Sequence, residues 1–329
     1  RQTDEYWIAA RPSPLTPKEE DIYAMVDEIK TLPLYKDLYT IIYTLINSYW
    51  DIGNIGIGPY FKLLSFNQME GFRTQFGLRT SKEFSKKDRF MVYAAYGFKD
   101  KTIKGGGEWE HLFSRDPWIK LELEAKYDVY QIGAGDNALT EGNMFASIFG
   151  GSHGTRPCMM SSFRLDYEQE VNPSFTFGAG LDFSRYYGTG ELFVPMISAS
   201  GKPIPSVAKN ELQLTAIFSK DETVNKGYFI RQSIHSDYPI VRVDLYVGIP
   251  GLRAYDYGYV RPELSMNWKL RIPPFGMSKI WANAGAVIGR VPYPLLHIHE
   301  GNSSYLLNKQ AFSCMDFFEF ASDTWATIF

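Results

Sequence analysis

Cysteine is almost absent, with two in 329 residues, Cys158 and Cys314. A disulfide scaffold is thereby excluded, and a spacing this wide leaves open whether the two pair or stay as thiols. Histidine is scarce as well, with five. No charge sign dominates: 34 Lys and Arg stand against 37 Asp and Glu, a net charge of −3. Such a chain lacks the basic field that draws a protein onto nucleic acid, so no nucleic-acid partner is expected. No run of about 18 apolar residues occurs, which excludes a transmembrane helix. Wholesale disorder is excluded too, because 45% of the residues are hydrophobic.

What the sequence has in quantity is aromatic side chains, 16% of the chain, beside 28 Gly. Charge that is plentiful but balanced, with no long apolar run, suits a soluble protein. It equally suits a membrane β-barrel, because half of each barrel strand faces a wet lumen. The chain opens at Arg1 without Met and without a signal pattern. Residues 1–15, with Arg11-Pro12-Ser13-Pro14, read as a linker or the end of a preceding domain.

Residues 16–50 read as a helical segment. Thr16 can cap, Pro17 suits the first turn, and Glu19 and Glu20 favour the positive end of the helix dipole. Ile22, Met25, Val26 and Ile29 then fall on one helical face, and Leu32-Pro33 ends the run. A second helix is predicted from Leu34 to about Ser48, too short and too polar to span a bilayer.

After Trp50 the period becomes two. Phe72, Phe76 and Leu78 alternate with Arg73, Gln75, Gly77 and Arg79. Ile119 to Val129 alternates with Lys120, Glu122, Glu124, Lys126 and Asp128. The same pattern recurs around Arg164, Asp166 and Glu168, at Asp182, at Arg242 and Asp244, and at Arg261 and Glu263. About a dozen strands are predicted, many of about ten residues, the length at which a tilted strand crosses a bilayer. Phe98–Lys101 and Val171–Pro173 read as tight turns of one end, and about 133–158 and 186–210 as long loops of the other, the asymmetry of a barrel.

A soluble sheet with one wet face alternates in the same way. Strand length, aromatics near strand ends and dense mixed charge on the polar rows favour the barrel. A Lys or Arg at mid-bilayer would cost about 2–4 kcal/mol, so those rows must point inward. Charges of both signs suggest cross-strand pairs that stiffen a narrow or plugged lumen rather than a selective pore. The predicted fold is therefore all-β, an antiparallel transmembrane β-barrel over 51–329 behind a short periplasmic helical segment.

Four stretches carry a family resemblance. They are Thr16-Pro17-Lys18-Glu19-Glu20-Asp21-Ile22-Tyr23-Ala24-Met25-Val26-Asp27, Ser65-Phe66-Asn67-Gln68-Met69-Glu70-Gly71-Phe72-Arg73, Ala95-Tyr96-Gly97-Phe98-Lys99-Asp100, and Val291-Pro292-Tyr293-Pro294-Leu295-Leu296-His297-Ile298-His299-Glu300-Gly301-Asn302. In this order they resemble an uncharacterised outer-membrane family of the Bacteroidota, in which a carboxypeptidase-regulatory-like domain precedes a β-barrel. That barrel is distantly similar to the surface-antigen superfamily of assembly and translocation barrels. The resemblance implies the outer membrane of a Gram-negative bacterium. It also implies outer-membrane lipid as a partner, a periplasmic or envelope protein as another, and a role in the transport or assembly of proteins or lipids. The regulatory-like domain is absent and the barrel is expected to continue beyond Phe329, so truncation at both ends is expected.

Candidate site residues fall in two groups. His297 and His299 share one side of an extended segment, with Glu300, Gly301 and Asn302 following. They read as a loop folded into the lumen, and the two imidazoles are weak candidates for a metal. Glu70, Gly71 and Arg73 read as a strand start carrying a lumenal ion pair. Gly105-Gly106-Gly107 lacks the Lys-Ser/Thr of a phosphate loop and reads as a strand bend. Ser161 and Ser162 with His153 lack the spacing of a lipase site, and 150–154 reads as a loop tip. No catalytic residue, cofactor or enzymatic activity is expected. The alternatives are an outer-membrane enzyme using the His/Glu loop, or a soluble β-protein binding glycans through its aromatics.

Overall fold

The computed structural model describes residues 6, 10, 16–131, 157–188, 196–198, 201–299, 301, 312, 314–315 and 319–329. The chain divides into two compact units, Arg1–Trp50 and Asp51–Phe329.

The first unit contains helices α1 (Pro17–Thr31) and α2 (Pro33–Asn47). Glu19 reaches back to accept from the Thr16 backbone N–H and hydroxyl, both at 2.8 Å, which satisfies an amide the helix start leaves open. Pro33 forces Leu32 out of helical geometry, so Leu32 ends one helix and precedes the next. Ser48, at φ 65°, closes α2.

The strands are β1 (Trp50–Ile52), β2 (Ile55–Ile57), β3 (Leu64–Asn67), β4 (Gly71–Thr80), β5 (Asp88–Gly97), β6 (Ile103–Arg115), β7 (Trp118–Gln131), β8 (Pro157–Asn172), β9 (Phe175–Tyr187), β10 (Ser206–Ser219), β11 (Thr223–Lys226), β12 (Arg231–His235), β13 (Ile240–Gly248), β14 (Tyr259–Ile272), β15 (Gly276–Ala286), β16 (His297–Ile298), β17 (Ala321–Ser322) and β18 (Thr324–Ile328). Fourteen of them form one sheet in sequence order, from β1 to β18, with β3 also paired to β4 and only the small hairpins β11–β12 and β16–β17 outside it. The pairings with a described register are antiparallel, as in Lys120 opposite Glu168 and Glu122 opposite Asp166. Among the described residues no ladder joins β1 to β18. The fold is all-β: a barrel-type meander behind a short helical segment.

Strands of 10 to 16 residues dominate from β4 to β10. They exceed the five to six residues, roughly, of ordinary globular strands. Two-residue links join β6 to β7 and β8 to β9 at one end of the sheet. The strand ends at Gln131 and Pro157, Tyr187 and Ser206, Gly248 and Tyr259, and Ala286 and Thr324 lie at the other. Two details depart from the sequence reading. The tight turn after β5 lies at the long-segment end, because β5 and β7 run the same way. The short-turn end in turn carries one long excursion, the β11–β12 hairpin.

Polarity is inverted relative to a water-soluble protein. On β4 the outward Phe72 and Phe76 are 67% and 54% exposed, while inward Arg73 and Gln75 are buried. Phe90, Val92, Phe163, Phe177, Phe218, Val243 and Leu264 are exposed in the same way. Lys104, Glu110, Glu170, Asn210, Glu211 and Asp244 are buried inside. Water does not favour an apolar exterior of this extent on a soluble monomer, whereas a bilayer requires it.

The inward-facing charges pair, as their mixed signs suggested, but much of the pairing runs along strands rather than across them. Arg164 meets Asp166 at 2.6 Å, Lys126 meets Glu124 at 2.9 Å and Arg242 meets Asp244 at 2.6 Å, each at spacing two on one face. Cross-strand pairs add Lys120 with Glu110 and Lys209 with Asp182, both at 2.5 Å.

Candidate functional site

The first site lies inside the sheet at the long-segment end, where β4 begins. The Asn67 side-chain oxygen accepts from the backbone N–H groups of Met69 and Glu70, at 3.0 and 2.8 Å, and so builds the turn into β4. Gly71 follows at φ +66°, and a Cβ there would stand 3.1 Å from the Lys99 side chain. Only glycine meets both demands comfortably.

This turn delivers Glu70 and Arg73 to a cluster drawn from the five strands β3 to β7 and two turns. The Glu70 carboxylate is fully buried. It pairs with Lys104 at 2.7 Å and with Arg73 at 3.2 Å, and accepts from the Asn67 amide at 2.5 Å. Arg73 grips Asp128 of β7 with both terminal nitrogens, at 2.5 and 2.8 Å, and donates to Gln75 at 2.9 Å. That two-pronged geometry is the strong, directional form of an ion pair. Tyr93 donates to Asp128 at 2.7 Å, and Lys104 also meets Asp100 at 2.5 Å.

The sequence reading singled out Glu70, Gly71 and Arg73 but missed Tyr93, Asp100, Lys104 and Asp128 as their partners. A signal existed in Gly106. Tyr93 lies opposite Gly106, and a Cβ on that residue would come within 2.8 Å of the Tyr93 ring. Gly105-Gly106-Gly107 therefore runs straight inside β6, and what was read as a bend is room for a phenol.

The second site is an apolar cluster at the same end of the lumen. Cys158, Met160, Tyr186, Val207, Tyr259, Val287 and Trp325 project inward from their strands or just beyond them, and Leu295, Ile298 and Met196 come from the long segments. Pro294 and Leu295, in the short helical turn Tyr293–Leu295, are buried. His297 lies flat on Trp325, with ring centres 4.0 Å apart, and meets His299 edge to face at 5.0 Å. His299 Nε2 lies 3.0 Å from the Ser322 hydroxyl. The two imidazoles are thus neighbours, as spacing two predicted. The wall that receives them is aromatic and aliphatic rather than charged. Gly301 bridges to Phe312, while Glu300 and Asn302 lie outside the described residues.

Burial drives His297 down to about 4, assisted by the neighbouring His299 and Arg261. The ordinary value is about 6.5, so the unfolded or undocked ring takes up a proton that the docked ring refuses. Docking is then favoured fully above about pH 6.5 and loses that support as the pH falls toward 4. Hydrogen-exchange protection of 293–298 is expected to fall over this window. A His297→Phe variant keeps the stacking on Trp325 and is expected to flatten the dependence. A pH-independent wild type would overturn the assignment.

The short-turn end is filled differently. The tip of the β11–β12 hairpin buries Phe229 against Leu112 and Trp118. Lys226 of the same hairpin pairs with Asp116 at 2.8 Å and with Glu170 at 2.6 Å.

Other sequence candidates resolve simply. Ser161 approaches the Tyr187 hydroxyl at 3.3 Å within β8, and 150–154, including His153, lies outside the described residues. Cys158 is a buried free thiol and Cys314 an exposed one. Among the described residues, Glu108, Glu110 and Glu122 bring three carboxylates close together, and Lys120 and Arg89 already pair with this group.

An inverted antiparallel wall, with a charged lumen packed at both ends, defines a β-barrel protein of the outer-membrane type. Comparison with known sequences adds that residues 37–187 match the C-terminal domain of a family of unknown function, DUF5686. No curated protein matches the chain. Among solved structures the chain is similar to BamA from Haemophilus ducreyi lacking POTRA domains 1–3. The identity is 9% and the TM-score 0.48, over 84% of this chain and 52% of that one. The chain thus spans about half the length of that structure.

Proposed function

We propose that this chain is an outer-membrane barrel that assists the passage or assembly of proteins or lipids at the outer membrane, without catalysing a reaction. The observation that supports it is the inverted polarity: large outward Phe, Val and Leu side chains are exposed while Lys104, Glu70 and Glu110 are fully buried. A chain in water would place those sets the other way round. A lumen crossed by ion pairs and packed at both ends suits a gated barrel better than an open diffusion pore.

The test uses the complete reading frame expressed with its own signal in an outer-membrane host. The membrane fraction is run on a gel with and without boiling. A compact, faster band in the unboiled lane alone is the expected result. Full recovery in the soluble fraction, with no shift, would overturn the reading. Depleting the protein and following outer-membrane protein and lipid content then tests the role. An unchanged envelope would leave the barrel standing and refute the assistance.

A further inference from the structure

We propose that α2 lies along the membrane surface and binds it as an interfacial anchor for the barrel. This inference rests on the outer-membrane reading. Leu34, Leu38, Ile41 and Ile42 share one broad side of α2 and are 79%, 54%, 56% and 47% exposed. Lys36, Asp37, Thr40 and Thr44 gather on the opposite, narrower arc. Thr40 returns its hydroxyl to the Lys36 carbonyl at 2.8 Å and Asn47 its amide to Tyr43 at 2.9 Å, so this arc is partly satisfied by the helix itself. At the border of the two arcs Tyr35, Tyr39 and Tyr43 form a stacked row, with ring centres 6.3 and 5.9 Å apart. An apolar face edged by tyrosines matches a bilayer interface, where the ring sinks and the hydroxyl stays wet.

Three observations choose the membrane over a protein partner. Only Ser48 and Tyr49 separate Asn47 from Trp50, which opens the sheet, and Trp50 and Ile52 are themselves exposed. Three residue steps span at most about 10 Å, so the end of α2 is covalently tethered close to the start of β1. The helix has 15 residues, roughly 22 Å at 1.5 Å per residue, short of the ~30 Å hydrocarbon core. It must therefore lie on the bilayer rather than cross it. Lys36 and Asp37 are the only charges of α2 and they cancel. Burial of the apolar arc thus carries the attachment, and binding is expected to be insensitive to salt.

The experiment labels single cysteines in a Cys314→Ser background with an environment-sensitive fluorophore. The full-length protein is reconstituted in phosphatidylcholine vesicles, with and without brominated acyl chains. Ile42→Cys reports the apolar arc, Lys36→Cys the polar arc, and Phe76→Cys the outer wall. Bromolipid is expected to quench at Ile42 and Phe76 and to spare Lys36, equally at low and high salt. Quenching at Phe76 without quenching at Ile42 would overturn the anchor while leaving the barrel intact. Shielding of Ile42 from both bromolipid and aqueous iodide would mean a protein covers the helix, and would equally overturn it. No quenching at Phe76 would remove the barrel reading itself, and the anchor with it.

Discussion

Arg73→Ala is expected to destabilise the barrel by about 3–5 kcal/mol, the cost of removing one partner from a buried ion-pair network. Arg73 bridges the fully buried Glu70 carboxylate at 3.2 Å and the half-buried Asp128 carboxylate at 2.5 Å, from segments far apart in the chain. Its loss leaves Glu70 with Lys104 and the Asn67 amide, and Asp128 with the Tyr93 hydroxyl and the Val129 backbone N–H. Arg73→Lys keeps the charge and loses the two-pronged grip, so it should fall between wild type and Ala. Urea unfolding of the refolded barrel in micelles measures this as a shift of the midpoint. The combined change Arg73→Met with Asp128→Leu should cost less than the sum of its parts, since it removes the stranded carboxylate along with the cation. An unmoved midpoint for Arg73→Ala would show that the cluster is not closed in solution.

Phe76→Arg carries the second large effect, and its sign separates two readings of one pattern. Phe76 sits centrally on the outer face of β4, whose ten residues match one membrane crossing. Against lipid, Arg at the midplane costs about 2–4 kcal/mol. Against water, an exposed Phe exchanged for Arg would be worth no more than about 0.5 kcal/mol either way. The variant is therefore expected to reduce the folded, heat-modifiable band in membranes, with Phe76→Leu close to wild type. A Phe76→Arg protein that assembles normally would remove the lipid from that face.

The candidate site was legible in part. Asn67, Glu70, Gly71 and Arg73 sit within seven residues of one another, so turn chemistry and strand alternation reach them from sequence. Asp128 lies 55 residues beyond Arg73. Nothing local in the chain marks it as the partner rather than Glu122 or Glu124 on the same strand. The His297–His299 proximity followed from spacing two alone. Its stacking on Trp325 needed β16 to fold beside β17, which brings Ser322 opposite His297 and leaves Trp325 three residues on. The hairpin tip at Phe229 was not anticipated, because an apolar residue between two short strands reads as an ordinary turn.

The sequence by itself determined the alternation, the helical lead, the strand lengths and the mixed sign of the polar rows. Each of these is set by chain periodicity and local backbone preference. Only the tertiary structure decided which face is inside. Period two divides a strand into two faces but does not orient them, and a soluble sheet and a barrel share that period. Orientation came from pairing fourteen strands into one sheet, which buries Glu70, Lys104 and Glu110 together and leaves Phe72 and Phe76 outward. Charges can be gathered in that way where opposite signs meet at hydrogen-bond distance, and that complementarity is a property of register across strands.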